Sequence, residues 1–255
     1  LRLAGAALIL TPALMLAGCD ETRPRPQPTP AEEVRFPDAD RPVATIVSAR
    51  WSTEEARDRL NEADTVMNRA DIRPGMTVAD IGAGEGYYTI RLAQRVGKDG
   101  RVLAEDIIPE VRDALAQRVA RERLDNVSVR LGEPDDPKLP DNSFDRIFMV
   151  HMYHEIEQPY EFLWRMRPSL RKDGLVVVVD ANRETQNHGT PPDLLKCEFA
   201  AVGYRLVSMR DMPSAGGYLA MFRAEGPRPD PAAIRACPNR GVPSPSAGAT
   251  PQGDE

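Results

Sequence analysis

The sequence predicts a doubly wound α/β domain built on one mainly parallel sheet, and three observations carry that prediction. Strand-like apolar runs alternate with helix-like amphipathic stretches from about residue 52 to residue 224. The first of those runs, 76–81, leads into a turn with glycines at alternate positions, Gly82, Gly84 and Gly86, before a helix begins at Tyr87. The last two runs, 204–210 and 218–223, are joined through Pro213-Ser214-Ala215-Gly216-Gly217, too short for a crossover, so they pair antiparallel at one edge.

Each element has a local reason. Ser52, with Glu55 three residues later, forms a capping box that opens a helix running to about Ala70. After the strand at 76–81, the helix from Tyr87 to Val96 stops at Gly97. A strand at 101–105 follows, and Pro109, suited to a first helical turn, starts a helix reaching about Leu124. Residues 127–131 and 144–150 are short apolar strands, and 158–170 is amphipathic. Gly174 precedes a near-continuous apolar run, 175–179, the pattern of a strand buried on both faces. A helix over 192–202 ends at Gly203, and the two antiparallel strands close the unit.

With 255 residues, 41% hydrophobic and 28% charged, the chain can bury one full core but not two large ones. The formal net charge of −6 leaves no electrostatic footprint for DNA or RNA, so a small-molecule partner is expected. The sequence does not indicate an oligomeric state.

Both ends differ from the middle. Arg2 precedes an apolar run, 3–16, broken by Thr11-Pro12 and ending in Leu16-Ala17-Gly18-Cys19. The run is too short for a spanning helix and has the charged start and small-residue end of a secretory signal. Leu16 to Cys19 resembles a bacterial lipobox. That resemblance implies cleavage before Cys19, acylation of this cysteine, and attachment to a membrane through an N-terminal lipid anchor. Asp20 would favour the inner membrane. The expected division is a lipoprotein signal peptide over 1–18, a Pro-rich tether over 19–42, a folded domain over 43–225 and a Pro-rich disordered tail over 226–255. The expected location is the bacterial cell envelope, facing the periplasm, with the cytoplasm as the alternative if the signal is not used. Of the other cysteines, Cys197 reads most simply as a core thiol; a disulfide to Cys237 is the alternative in an oxidising compartment.

The informative stretch is Asp80-x-Gly82-x-Gly84-x-Gly86 after an apolar strand. Glycines let a ligand approach the backbone, and the helix starting at Tyr87 presents free N–H groups to the same place. A dinucleotide fingerprint would need its third glycine at position 87, where this chain has a tyrosine, which argues against a nicotinamide oxidoreductase. The pattern instead resembles motif I of the class I S-adenosylmethionine-dependent methyltransferases, and within them the ubiquinone and menaquinone methyltransferase-like group. The resemblance covers about 53–224. It implies a seven-stranded mixed sheet of order 3-2-1-4-5-7-6, S-adenosyl-L-methionine as cofactor and a small-molecule methyl acceptor.

The resemblance also implies roles for residues. Asp80 organises the loop Gly82-Ala83-Gly84 and Gly86, and helps seat the methionine portion of the cofactor. Asp106, followed by Ile107, takes the ribose hydroxyls, with Glu105 as its competitor; a carboxylate can accept two hydrogen bonds at once. Glu133 and Asp135 are candidates for the adenine amino group, with Asp136 a further one because Pro134 interrupts the usual pattern. The run from Leu139 to Asp145 resembles the family signature before the fourth strand, with Asp145 structural. His151-Met152-Tyr153-His154-Glu155 resembles the loop that faces the acceptor. There His151 or His154 can act as a base, or simply hydrogen-bond the loop, and Tyr153 can shape the cavity. The two histidines with Glu155 also make a partial metal-ligand set, but no further ligand is evident nearby, so no metal is expected. His188, after the fifth strand, can reach the site from the rim. The expected function is methyl transfer to an unidentified small molecule. The alternative is a methyltransferase-fold binding protein without turnover, because export would separate the domain from a cofactor made in the cytoplasm.

Overall fold

The computed structural model describes residues 34–46 and 53–239. The residues expected to form a signal segment, Cys19, most of the expected tether, Ser52 and residues 240–255 lie outside the described residues. Seven strands form one sheet of order β3-β2-β1-β4-β5-β7-β6, as expected. They are β1 (Thr77–Ile81), β2 (Arg101–Asp106), β3 (Val127–Leu131), β4 (Phe144–Val150), β5 (Leu170–Asp180), β6 (Tyr204–Met212) and β7 (Gly217–Ala224). Pairing is parallel from β3 through β5, and β7 is antiparallel to both β5 and β6.

Helices cover both faces. They are α1 (Glu54–Arg59), α2 (Glu62–Arg69), α3 (Tyr87–Val96), α4 (Pro109–Arg121), α5 (Pro159–Met166) and α6 (Pro192–Ala201). The period-2 alternation of β5 divides the core between them. Val176 and Val178 pack with Phe162, Leu163, Leu195 and Phe199 of α5 and α6. Val177 and Val179 pack with Val66, Met67, Tyr88 and Leu92 of α2 and α3. Leu115 and Val119 of α4 meet Ala104 in a smaller cluster. Among the described residues no helix is long and apolar enough to cross a membrane.

Several expectations are corrected. The single helix expected to run to Ala70 is two helices, separated at Asn61, whose φ of 51° is left-handed; its short polar side chain tolerates that conformation better than most. Thr53 caps the first, its hydroxyl accepting from the N–H of Ala56 at 3.2 Å. The amphipathic run at 158–170 stops being α-helical at Met166, two residues before Pro168. β5 starts five residues earlier than its apolar run because a register shift lets Leu170 pair with Phe144 before Leu175 pairs with Arg146.

The ends of the domain also move. Residues 34–42 belong to the fold: Phe36 packs edge-on against Trp164, and Arg41 is buried. The tail is packed through 226–239: Trp164 Nε1 donates to the carbonyl of Pro229 at 2.8 Å, and Ile234 and Cys237 are buried. Proline content predicted disorder, but these contacts and one covalent staple outweigh it. That staple is a Cys197–Cys237 disulfide, which corrects the core-thiol expectation. Cys197 lies off the stripe of α6 that faces the core, Leu194, Leu195, Glu198 and Phe199, and is exposed. Closing a loop of this size contributes about 3–4 kcal/mol, chiefly by restricting the unfolded chain.

Candidate functional site

The carboxyl ends of parallel strands are where open α/β sheets bind ligands, and three acids converge there. Asp80 sits near the end of β1, Glu105 and Asp106 at the end of β2. Between them, Gly82, Gly84 and Gly86 have φ of 64°, 56° and 90°, a region that side chains rarely adopt. A methyl at Gly86 would collide with Leu115 of α4, and one at Gly82 would press on Met152. The loop therefore nests between α4 and the exit of β4 because Gly82 and Gly86 lack side chains.

The acids hold this loop. Asp80 is buried and accepts from Thr89 Oγ1 at 2.6 Å. Desolvation pushes its carboxyl up to about 6, despite the Thr89 hydrogen bond and the charge of Arg57. Asp106 accepts the N–H of Gly84 on one oxygen and that of Ile108 on the other, both at 3.0 Å. Burial raises its pKa, opposed by those N–H groups. Glu105 accepts from the N–H of Gly82 at 3.4 Å through Oε2, while its buried Oε1 has no hydrogen-bond partner among the described residues. Burial pushes this carboxyl up to about 8. Gly132 leaves the space that Glu105 occupies, since a side chain there would overlap Oε1.

These groups line one cavity of about 270 Å³. Asp80, Gly82, Ala83, Gly84, Asp106, Ile107 and His151 all face it, together with Glu105, Met152 and Glu155. Gly86 stands behind as the N-cap of α3. His151 leaves β4 with φ of 54°, and its N–H donates to the carbonyl of Val179 at 2.8 Å, tying the loop to β5. Burial lowers its imidazole to about 4, so the ring is neutral at physiological pH.

Other expected residues lie elsewhere. Tyr153 does not shape the cavity: its hydroxyl donates to Glu198 Oε2 at 2.7 Å in the core, beside Arg41, whose Nε donates to Glu198 Oε1 at 2.9 Å. His154 turns away, Nδ1 lying 3.0 and 3.1 Å from the two oxygens of Asp180. Glu133 is exposed and pairs with Lys138 at 3.0 Å, and neither Glu133 nor Asp135 lines the cavity. Their loop closes on itself through Glu133 and Asp136, presenting Pro134 instead. The adenine expectation for these acids and the catalytic expectations for Tyr153 and His154 are thus corrected by position.

The opposite wall comes from a segment that sequence reasoning passed over. Ile46, Glu54 and Arg57 line it with Tyr87 and Tyr88. Arg57 stacks 3.8 Å from the Tyr87 ring centroid while forking onto both oxygens of Glu62 at 3.0 and 2.6 Å. No motif marks these residues; they reach the cavity because the first helices fold back over α3. With three desolvated carboxylates and an orphan Oε1, the cavity suits a ligand that carries positive charge and hydroxyl donors.

A model of the methyltransferase domain family matches residues 72–210 of the chain. Among curated relatives, nocamycin O-methyltransferase of Saccharothrix syringae is 40% identical over 83 residues, covering 32% of this chain and 30% of that protein. A ubiquinone/menaquinone biosynthesis C-methyltransferase of Hydrogenovibrio crunogenus is 31% identical over 121 residues, covering 45% and 46%. Each match thus spans less than half of the relative's length. Among solved structures, a SAM-dependent methyltransferase from Aquifex aeolicus superposes with a TM-score of 0.56 at 24% identity, covering 67% of this chain and 97% of the other, a likeness of fold.

Proposed function

We propose, for a chain that belongs to the class I S-adenosylmethionine-dependent methyltransferase family, that it transfers a methyl group to a small-molecule acceptor in the cavity at the carboxyl ends of β1, β2 and β4. The observation that carries this reading is the convergence of Asp80, Glu105 and Asp106 on one glycine-lined cavity. The residues present fit S-adenosyl-L-methionine, whose sulfonium and ammonium offset desolvated carboxylates and whose ribose hydroxyls donate to them. When bound, the cofactor supplies an electrophilic methyl group.

The chain's own residues do the rest. Asp106 receives the ribose hydroxyls, Glu105 presents its Oε1 to the same diol, and Asp80, held by Thr89, faces the methionine portion. The glycine loop lets the ligand lie against the backbone. His151 forms the wall next to Met152 and, as a neutral ring, accepts a proton from an acceptor that loses one. Ile46, Arg57 and Tyr87 wall the cavity on the other side.

Calorimetric titration with S-adenosyl-L-methionine tests this. The unliganded Asp80 carboxyl, at about 6, is protonated at pH 5 and ionised at pH 7. A cationic ligand favours the ionised form, so affinity should rise by about tenfold from pH 5 to pH 7, with protons released to the buffer on binding near pH 6. Methylated product from a panel of hydroxyl, amine and carbon acceptors completes the assignment. No binding at millimolar ligand overturns it, and binding without any product would mark a binding protein.

We also propose that the domain works outside the cytoplasm, attached through Cys19. The lipobox supports this reading, as does the Cys197–Cys237 disulfide, a bond that persists in oxidising compartments. Fractionation should find the full chain in the envelope and the Cys19→Ala chain released from the membrane. Recovery of both in the cytoplasm with free thiols would overturn it.

A further inference from the structure

We propose that His154, Glu155 and His188 form a binding site for a divalent first-row transition-metal ion, zinc by its donor set, at the rim of the cavity. One ligand atom from each of the three lies within 4.8 Å of the other two. The site is assembled by topology. His154 and Glu155 follow β4 and His188 follows β5, and those strands are parallel neighbours whose exits lie side by side.

His154 is prepared for this role. Its ring is buried, and Nδ1 is bonded to the Asp180 carboxylate at 3.0 and 3.1 Å. Asp180 is in turn held by the N–H of Ala181 at 2.8 Å and by Thr190 Oγ1 at 2.7 Å. With its proton on Nδ1, the ring carries its lone pair on Nε2. A carboxylate behind the histidine orients a metal-binding imidazole. A purely structural His154–Asp180 pair would account for these bonds, but not for the arrival of Glu155 and His188 beside it.

His188 comes from the other loop. It sits in a left-handed turn, φ 56°, closed by its own N–H to the carbonyl of Thr185 at 3.2 Å. Its ring meets that of His154 edge-on, with centroids 5.6 Å apart. Glu155 and His188 are half-buried, so they can adjust around a fixed His154. Tetrahedral donors around zinc stand about 3.4 Å apart at bond lengths of about 2.1 Å, so binding would draw the three groups together by up to about 1.4 Å.

The donor set selects the ion. Two imidazoles and one carboxylate suit zinc and its first-row neighbours; magnesium and calcium prefer all-oxygen sites, and copper(I) prefers sulfur. Glu155 and the Asp180 carboxylate supply negative charge against the cation. Three protein donors leave a fourth position open, as in zinc sites that engage a further ligand, and Glu155 places the ion beside the cavity.

The test uses the full chain, freed of metal with a chelator and kept non-reduced so that the disulfide stays intact. Zinc titration against a chromophoric chelator should show one ion per chain. His188→Ala and Glu155→Gln should each weaken it by at least tenfold while thermal unfolding stays cooperative. X-ray absorption at the zinc edge should show imidazole and oxygen donors, and millimolar magnesium should not displace the ion. Failure of the parent chain to bind zinc, or equal binding by both variants, would overturn the proposal. Because none of these readouts depends on methyl transfer, the outcome is separate from that of the activity reading.

Discussion

Asp106→Ala should weaken S-adenosyl-L-methionine binding by a hundredfold or more, which calorimetry would read directly. The carboxylate has two tasks in the same few ångströms. It accepts the N–H groups of Gly84 and Ile108, which shapes the glycine loop and the start of α4, and it faces the cavity where the ribose is proposed to lie. Hydrogen bonds to charged groups contribute roughly 1.5–3 kcal/mol each, and leaving a buried N–H unsatisfied costs a further 1–3 kcal/mol. Two lost ligand bonds therefore predict a drop of about two orders of magnitude or more. Far-ultraviolet dichroism and a denaturation curve would show that the sheet remains. Binding within tenfold of the parent protein would remove Asp106 from the site and shift the ribose contact to Glu105.

The second large effect is expected far from the chemistry. Arg41→Ala should destabilise the fold by about 3–5 kcal/mol, read as a lowered denaturant midpoint. Arg41 and Glu198 form a buried ion pair at 2.9 Å, with side chains 0% and 1% exposed. The guanidinium also donates to the carbonyl of Ile156 at 3.1 Å, so it ties the loop after β4 to α6. Removing it leaves a buried carboxylate with only Tyr153 as partner. Burial already raises the Glu198 pKa against the pull of Arg41 and Tyr153. Loss of Arg41 raises it further, so the folded variant takes up a proton that the unfolded chain binds less tightly. The deficit should then shrink as pH falls toward the range where Glu198 is protonated, and be largest near neutrality. A variant as stable as the parent would show that residues 34–46 are not part of the cooperative unit.

The tyrosine in that pair shows where sequence reasoning stops. Tyr153 stands in a stretch that by resemblance is expected to face the acceptor, and its position along the chain gives no sign that the ring points inward to Glu198. The turn after β4 sends its side chains in different directions: His151 into the cavity, Tyr153 into the core and His154 toward Asp180. Similarly, Glu133 and Asp135 look like ligands in a linear pattern, but Pro134 and the Glu133–Asp136 closure turn the backbone so that the proline faces the cavity.

What the sequence determined by itself is local and periodic. The alternation of strand and helix patterns, the glycines at 82, 84 and 86, and the acids at the ends of β1 and β2 carry their meaning within a few residues. Backbone conformation and strand direction follow from such short windows, which is why Asp80, the glycine loop and Asp106 were legible together. The tertiary structure alone decided the pairings between distant segments: Arg41 with Glu198, Cys197 with Cys237, and His188 beside His154. Each joins groups separated by 34 positions or more in the sequence, and no local preference records which partner a side chain meets. That choice is made when burial of the two sheet faces brings the loops and both ends of the domain together, because only the packed arrangement pairs most of their buried polar groups at once.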